Sequence, residues 1–361
     1  MKHIWQSTLW PKFDYDRKAA EPHLAAAVEA MGEVSGLQAG LDQRDLEELR
    51  LTQIVQEALA SFGIEGVALD PAEIEASVIA SLKHRDRAAL SRRSDAIVGL
   101  MIAARRAEGL LTRETLWEWH RLLFFGIEVE DLGRWRQFDI DIVRSAAAGS
   151  NDILYKAPPP ERVDAEMSAF IDWLNDKSGM PTPIVAAIAH LWFESVHPFS
   201  DGNGRVGRAV IEYVFASRSR PLPFSLSRQI EKDKKAYYAA LQDGRKVGRG
   251  AIDATAFVVW FLITLESAAD AGRDEAHFLV RRNQFFLRFD DALSERQKAV
   301  LQALFVQGKG RLQQGLSAKS YSKIAKVSGP TATRDLGAME CAGALRRSES
   351  GGRSTFYWIN F

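Results

Sequence analysis

Twelve consecutive residues, HPFSDGNGRVGR from His197 to Arg208, combine a titratable base, a carboxylate, three glycines and two arginines. Gly202, Asn203 and Gly204 leave backbone N–H groups free to converge on an anion, and two of them lack the Cβ that would block its approach. A helix beginning near Arg205 would aim the positive end of its dipole at the same point. Arg205 and Arg208 lie three apart on the first turn of that helix, so both can reach a polyphosphate. Asp201 beside phosphates is a candidate Mg²⁺ ligand, because that ion takes one or two carboxylates plus phosphate oxygens. His197 can act as a neutral imidazole and accept a proton. Taken singly, a glycine-rich turn is usually a helix start and a terminal histidine a cap. Together the parts describe a phosphoryl or nucleotidyl transfer site.

The elements around the turn read as mostly helical. TPIVAAIAHLWFESVH is apolar on nearly every side and predicts a buried central helix that delivers His197 at its end. GRVGRAVIEYVFASRS starts the next helix, and EKDKKAYYAALQDG and DATAFVVWFLITLESAADAG read as two more. Upstream, LEELRLTQIVQEALASFGIEG predicts a helix ending at Gly66, with Asp70 and Pro71 opening another. TRETLWEWHRLLFFG is a further amphipathic helix. Between Gly133 and Val163, short β-prone runs flank a small-residue turn and predict a hairpin ended by Pro158–Pro160, before helix resumes in ERVDAEMSAFIDWLND. From Ser294 onward, three helices and a Gly-tipped hairpin follow in the order of a winged helix.

The ordered string resembles the signature of the Fic family, His-Pro-Phe-x-(Asp/Glu)-Gly-Asn-Gly-Arg-x-x-Arg, with every fixed position met. That resemblance implies a mainly α fold: a Fic helical core at 107–275 with a β-hairpin flap, an N-terminal helical region at 1–106 and a winged helix at 281–361. It also implies an enzyme that moves AMP from ATP onto a protein Ser, Thr or Tyr hydroxyl, with pyrophosphate leaving. Carried across, His197 is the general base and Asp201 binds Mg²⁺. Gly202, Asn203 and Gly204 hold the phosphates, with the Asn203 side chain contributing. Arg205 neutralises the leaving phosphates and Arg208 takes the γ-phosphate, while Phe199 and Pro198 are structural. The hairpin near Asp141–Tyr155 resembles the family's flap, which holds a target segment by strand addition. Tyr237 and Tyr238 match a pair lining the adenine pocket, although either could be core by helical spacing. QDGRKVGRGAID lacks an Asn that some relatives place near the adenine.

SFGIEG, Ser61 to Gly66, resembles the family's inhibitory motif, on a helix at about 50–66. In relatives with the motif N-terminal to the core, its glutamate pairs with the second signature arginine, which corresponds here to Glu65 on Arg208. The N-terminal IWQ…WPKFDYD also resembles the extension of such self-inhibited members. Other readings stay open: removal of AMP, transfer of another phosphate-containing group, or a DNA-binding regulator whose core senses nucleotide. The intact His197 favours catalysis, since a sensor needs no base.

Bulk properties bound the rest. The 361 residues suggest two or three domains, and 46% hydrophobic with 26% charged residues is ordinary for a globular chain. The start has no signal-peptide pattern and no run of about 18 uncharged apolar residues occurs, so neither secretion nor a membrane is expected. The single Cys341 suits a reducing, cytoplasmic setting. From Arg281 onward there are 14 Lys/Arg against 6 Asp/Glu, and before it 33 against 41. The basic tail offers Thr331, Thr333, Arg334, Arg346, Arg347 and Arg353 as phosphate contacts, with Ser350–Arg353 as the wing tip. Asp335 in the expected recognition helix opposes DNA, so DNA binding and a protein–protein role, including a homodimer, both remain.

Overall fold

Short side chains that cap helix starts divide this chain. In the computed structural model, which describes residues 3–83, 92–143, 153–176, 179–348 and 355–361, a 3-10 turn at Ile4–Gln6 leads to strand β1 (Phe13–Asp14). Asp16 then accepts Lys18 N at 2.9 Å and opens α1 (Arg17–Ala39). Asp42 accepts Asp45 N at 2.8 Å to open α2 (Gln43–Ile64), and Asp70 accepts Ala72 N at 2.8 Å before α3 (Pro71–Lys83). After α4 (Arg93–Arg106), Thr112 caps α5 (Arg113–Leu123). Strands β2 (Asp141–Val143) and β3 (Ile153–Lys156) pair antiparallel, Asp141 opposite Lys156, with an irregularity at Ile142/Val143. The turn expected between them lies outside the described residues.

Helices α6 (Pro160–Asn175), α7 (Thr182–Val196) and α8 (Asn203–Arg218) follow. Every residue of α7 from Pro183 to Val196 is buried, so its uniform apolarity reflects packing on all sides. The single helix expected over EKDKKAYYAALQDG is two, α9 (Leu226–Lys232) and α10 (Lys234–Asp243). Asp233 breaks them with an extended φ of −139° and caps α10 through Ala236 N at 2.9 Å. Strands β4 (Lys246–Val247) and β5 (Ile252–Asp253) pair antiparallel, and β1 adds parallel to β5.

Helix α11 (Thr255–Phe289) does not stop near Gly272 as expected: Ala276, Leu279, Phe285 and Phe289 extend its buried stripe. The chain divides into two units, Met1–Arg273 and Asp274–Phe361, and that boundary falls inside α11 rather than in a linker. By length and composition α11 could cross a membrane, yet its apolar window carries Glu266 and Asp270 and is half buried.

The second unit adds α12 (Glu295–Val306), the short α13 (Lys309–Gln313), α14 (Ala318–Ala325), α15 (Gly329–Cys341) and the antiparallel pair β6 (Leu345–Arg347) and β7 (Tyr357–Ile359). Its core gathers Phe285, Phe305, Tyr321, Leu336 and Met339. One expectation is corrected here. Asp335 is buried rather than facing outward, and accepts from Arg296 Nε at 2.9 Å, Arg296 Nη2 at 3.1 Å and Tyr321 OH at 2.9 Å. The wing tip Ser350–Arg353 lies outside the described residues.

In the first unit, buried polar groups fasten α2. Glu57 accepts from Ser225 Oγ at 2.7 Å, Ser227 N at 3.0 Å and the Ser227 hydroxyl. Gln53 and Gln38 both donate to Pro223 O, and Lys234 Nζ donates to Gly63 O at 2.9 Å. These bonds fix the C-terminal end of α2, which carries Ser61 and Glu65.

Candidate active site

His197 closes α7 in the left-handed region, φ +51°, with its N–H donating to Phe193 O at 2.9 Å. A non-glycine residue there costs about 1 kcal/mol, so the turn needs outside support. Arg136, fully buried, supplies it. Nε donates to His197 O at 2.8 Å, Nη2 to Pro158 O at 2.6 Å and Val196 O at 3.3 Å, and Nη1 to Phe138 O at 2.7 Å. The Arg136 N–H also donates to Pro198 O at 3.0 Å. Burial first, then the Arg245 and Arg136 charges, holds the His197 imidazole down at about 3, so at neutral pH it is an uncharged proton acceptor. Sequence reasoning missed Arg136. Its sole trace is an arginine set among Trp135 and Phe138 in a stretch read only as strand.

The anion loop follows. Gly202 has φ +79°, and a Cβ there would lie 2.5 Å from Leu123 Cδ2 and 2.8 Å from Phe124 Cε2. Conformation and space therefore both require glycine. Asp201 is 61% exposed in its side chain, and its Oδ1 accepts from Gly202 N at 2.5 Å and Arg205 Nη2 at 3.2 Å. Asn203 departs from expectation. Its Oδ1 accepts Phe199 N at 2.8 Å and its Nδ2 donates to Phe199 O at 2.8 Å, so the amide ties the loop to itself. What Asn203 offers an anion is its backbone N–H at the start of α8. Phe199 stacks on His120 with ring centroids 4.2 Å apart. His120 Nδ1 accepts Gly133 N at 2.9 Å, which assigns its proton to Nε2, 3.2 Å from Asp201 O. Burial holds His120 at about 4, neutral.

Of the two arginines, Arg205 is buried against Phe62 and Phe124, its guanidinium carbon 5.2 and 5.0 Å from the ring centres. Arg208 is buried too, but meets the end of α2. Its Nε donates to Ser61 Oγ at 3.0 Å, and its Nη2 to Ser61 O at 2.7 Å and Glu65 Oε1 at 2.9 Å. Gly66 turns the chain away with φ +75°. A Cβ on Gly204 would collide with Glu65 Oε1 and lie 3.1 Å from Arg208 Nη1, a buried donor without a hydrogen-bond partner among the described residues. The Glu65 carboxylate thus lies against the anion loop itself.

The tyrosine pair splits. Tyr237 is buried in the core, as helical spacing allowed for one of the two, with its hydroxyl 2.8 Å from His190 Nε2; Tyr238 is 44% exposed. Their rings lie 5.0 Å apart. Tyr155 of β3 donates its hydroxyl to Ser195 O at 3.0 Å under the Arg245 guanidinium, joining the hairpin to α7. The N-terminal segment pins the same strand, Trp5 Nε1 donating to Lys156 O at 2.8 Å.

Residues 110–215 match the Fic/DOC family. That stretch, which holds His197–Arg208, is a Fic domain. Residues 3–83 match a second family, a domain of unknown function (DUF4172). The chain is 30% identical over 109 residues to a probable protein adenylyltransferase of Aquifex aeolicus, covering 28% of this chain and 34% of the relative. It is 26% identical over 223 residues to a protein adenylyltransferase Fic of Culex quinquefasciatus, covering 59% and 40%. It spans less than half the length of these curated relatives. Among solved structures, a Fic family protein of Desulfovibrio desulfuricans superposes with a TM-score of 0.55 at 21% identity, covering 94% of this chain and 96% of that one. A Fic domain containing signaling protein of Bacteroides thetaiotaomicron gives 0.53 at 20% identity, covering 70% and 96%. Both likenesses show the mainly α Fic fold.

Proposed function

We propose that this Fic-domain protein is a protein adenylyltransferase that uses ATP, and that Glu65 restrains it by occupying Arg208. The observation that carries this reading is the carboxylate on Gly204 and Arg208: an anion from the chain sits where a phosphate would meet the loop. Homologues named as adenylyltransferases support the same class.

In this reading the acceptor is a Ser, Thr or Tyr hydroxyl of a target protein, presented beside the β2–β3 hairpin. His197 takes the hydroxyl proton while the oxygen forms a bond to the α-phosphorus. The bond from that phosphorus to the bridging oxygen breaks, and pyrophosphate leaves. The backbone N–H groups at the start of α8 and the Arg205 guanidinium stabilise the charge that develops on the phosphates. Asp201 is exposed, adjoins the anion loop and belongs to no cluster of three or more His, Cys, Asp or Glu among the described residues. One carboxylate with phosphate oxygens and waters suits Mg²⁺, so the residues fit that ion. When bound at Asp201, Mg²⁺ would offset charge on the α- and β-phosphates. Glu65 on Arg208 denies the γ-phosphate its cation, which leaves ATP without the alignment that transfer needs.

The test is incorporation of label from [α-³²P]ATP into the chain itself and into proteins of a cell lysate, comparing the wild type with Glu65→Gly. Greater incorporation by the variant is expected; equal rates would remove the restraint, and no incorporation by either would remove the transferase.

A separate reading follows for the second unit. With Asp335 turned inward and held by Arg296, Thr333 and Arg334 of α15 and Arg346 and Arg347 of β6 are exposed without the Asp335 carboxylate opposing them. We propose that this unit is a winged helix that contacts duplex DNA through phosphates. A salt-dependent gel shift on generic duplex is expected; binding unchanged by salt, or absent, would overturn it.

A further inference from the structure

Helix α7 carries one acidic side chain, Glu194, which the scheme above leaves unused. His190, Glu194 and His197 follow one another at steps of four and three, so they line one face, toward α8. Gly207 is where α8 passes that face: a Cβ on it would lie 2.9 Å from Glu194 Oε1 and 3.1 Å from His190 Nδ1. Glu194 is buried, and its Oε1 has no hydrogen-bond partner among the described residues. Its Oε2 stands 3.8 Å from His197 Nδ1, which also forms no bond of acceptable geometry, although the Glu194 carbonyl faces the ring as well. A buried carboxylate oxygen left unpaired is costly, so a purely structural role explains it badly.

The charges around this pair come from every neighbouring element. Arg245, after α10, donates Nη2 to Glu194 O at 2.8 Å and Nε to Ser195 Oγ at 3.1 Å. Arg208 faces it from α8, Glu65 from the end of α2, Tyr237 from α10, and Arg136 holds the His197 carbonyl. Burial and then Glu65 push the Glu194 carboxyl up to about 7, against Arg245 and Arg208, which pull it down. An imidazole held near 3 between two cations is a feeble base by itself, because proton transfer works best with a base titrating near the working pH. Of the acidic side chains among the described residues, it is Glu194 that stands within 4 Å of the ring.

We propose that Glu194 is a positioning residue for His197: its carboxylate moves in by about the length that separates 3.8 Å from a hydrogen bond and accepts the Nδ1–H. This rests on the adenylyl-transfer reading for its function, not for its geometry. The bond fixes the tautomer with Nε2 bare toward the acceptor hydroxyl. When Nε2 takes the hydroxyl proton, Nδ1–H remains on the ring and Glu194 balances the imidazolium without being protonated itself. Gly207 is small so that the carboxylate can lie there.

The experiment uses the full chain with ¹⁵N-histidine, the His197 signals assigned through a His197→Gln variant, together with self-labelling from [α-³²P]ATP across pH. In the wild type, Nδ1 should carry the proton, and its shift should respond as pH rises through about 7, where Glu194 ionises. The transfer rate should rise through the same window. In Glu65→Gly that limb should move to lower pH, because a charge pushing Glu194 upward is gone. Glu194→Gln should lower the His197 pKa, erase the limb and reduce kcat roughly 10- to 100-fold, with KM for ATP and the melting temperature little changed. An unshifted His197 signal and an unchanged pH profile in Glu194→Gln would overturn the proposal. If no transfer occurs in any form, the adenylyl-transfer reading fails, while the tautomer and its pH response still decide the pairing. Should Glu194→Gln not fold, absence of any Nδ1 response near pH 7 in the wild type overturns it.

Discussion

Two arginine–carboxylate pairs, one in each unit, have opposite characters. Arg296 grips Asp335 with two parallel bonds, Tyr321 adds a third donor, and the carboxylate is buried. Arg208 gives Glu65 a single bond, divides its other donors over Ser61, and keeps Nη1 without a hydrogen-bond partner among the described residues; Glu65 stays 28% exposed. The first pair joins α12 to α15 through a buried carboxylate whose two oxygens accept three bonds. An under-used arginine whose partner can reach water is suited to trading one anion for another. How fully the carboxylate is held and how far it is buried, more than the distance, separate a fastening from a gate.

The largest effect should come from a change outside both pairs, made where the Glu65 restraint has already been removed. His197→Ala in the Glu65→Gly background should lower transfer by roughly 10²- to 10⁴-fold while titration calorimetry still finds ATP binding; an undiminished rate would remove His197 as the base. Next is Glu65→Gly alone. One charge-assisted bond of about 1.5–3 kcal/mol removed from competition should raise transfer roughly 10- to 100-fold, with no loss of melting temperature. A marked loss of stability would place this pair with the fastenings. Asp335→Asn should do the reverse, leaving transfer unchanged and lowering a thermal transition by several degrees in calorimetry. The smallest effect is acid sensitivity. Hydrogen bonds from Arg296 first, then from Tyr321, hold the Asp335 carboxyl below its ordinary value. Its stabilisation is therefore present above the unfolded carboxylate's pKa of about 4 and is lost as pH falls through the lower, folded value. Asp335→Asn should remove that part of the acid transition, and a wild-type curve coincident with the variant's would contradict it.

Much of the site was legible because its signal is local. His197, Asp201, Gly202 and Gly204, Arg205 and Arg208 sit in one turn, and the positive φ of Gly202 is what its residue type announces. Asn203 shows the limit of such reading. An amide beside an anion loop looks like a phosphate ligand, yet it bonds the backbone four residues back, a choice settled by the turn's geometry. The meeting of Glu65 with Arg208 spans 143 residues and leaves no local pattern, so only the family resemblance pointed to it. Glu194 left no signal and Arg136 only its setting among Trp135 and Phe138, because a charge enclosed by backbone carbonyls or by a second helix reads in sequence like any surface charge. The fold was legible as helices and their order. Where it departed, at Asp233 and past Gly272, a cap and a continuing apolar stripe outweighed the usual meaning of those residues.

Gly207 fills one of the three wildcard positions of the signature, where any residue is nominally allowed. In this chain that freedom is limited by two side chains of α7: a Cβ at 207 would meet Glu194 Oε1 at 2.9 Å and His190 Nδ1 at 3.1 Å, and Glu194 is the nearer. Residues 194 and 207 should therefore behave as one two-letter word, an alanine at 207 being tolerated with a small residue at 194 and rejected with the native one. A motif written as a one-dimensional string hides such a rule. A mutational grid over the two positions, scored by folding and transfer together, would spell it out.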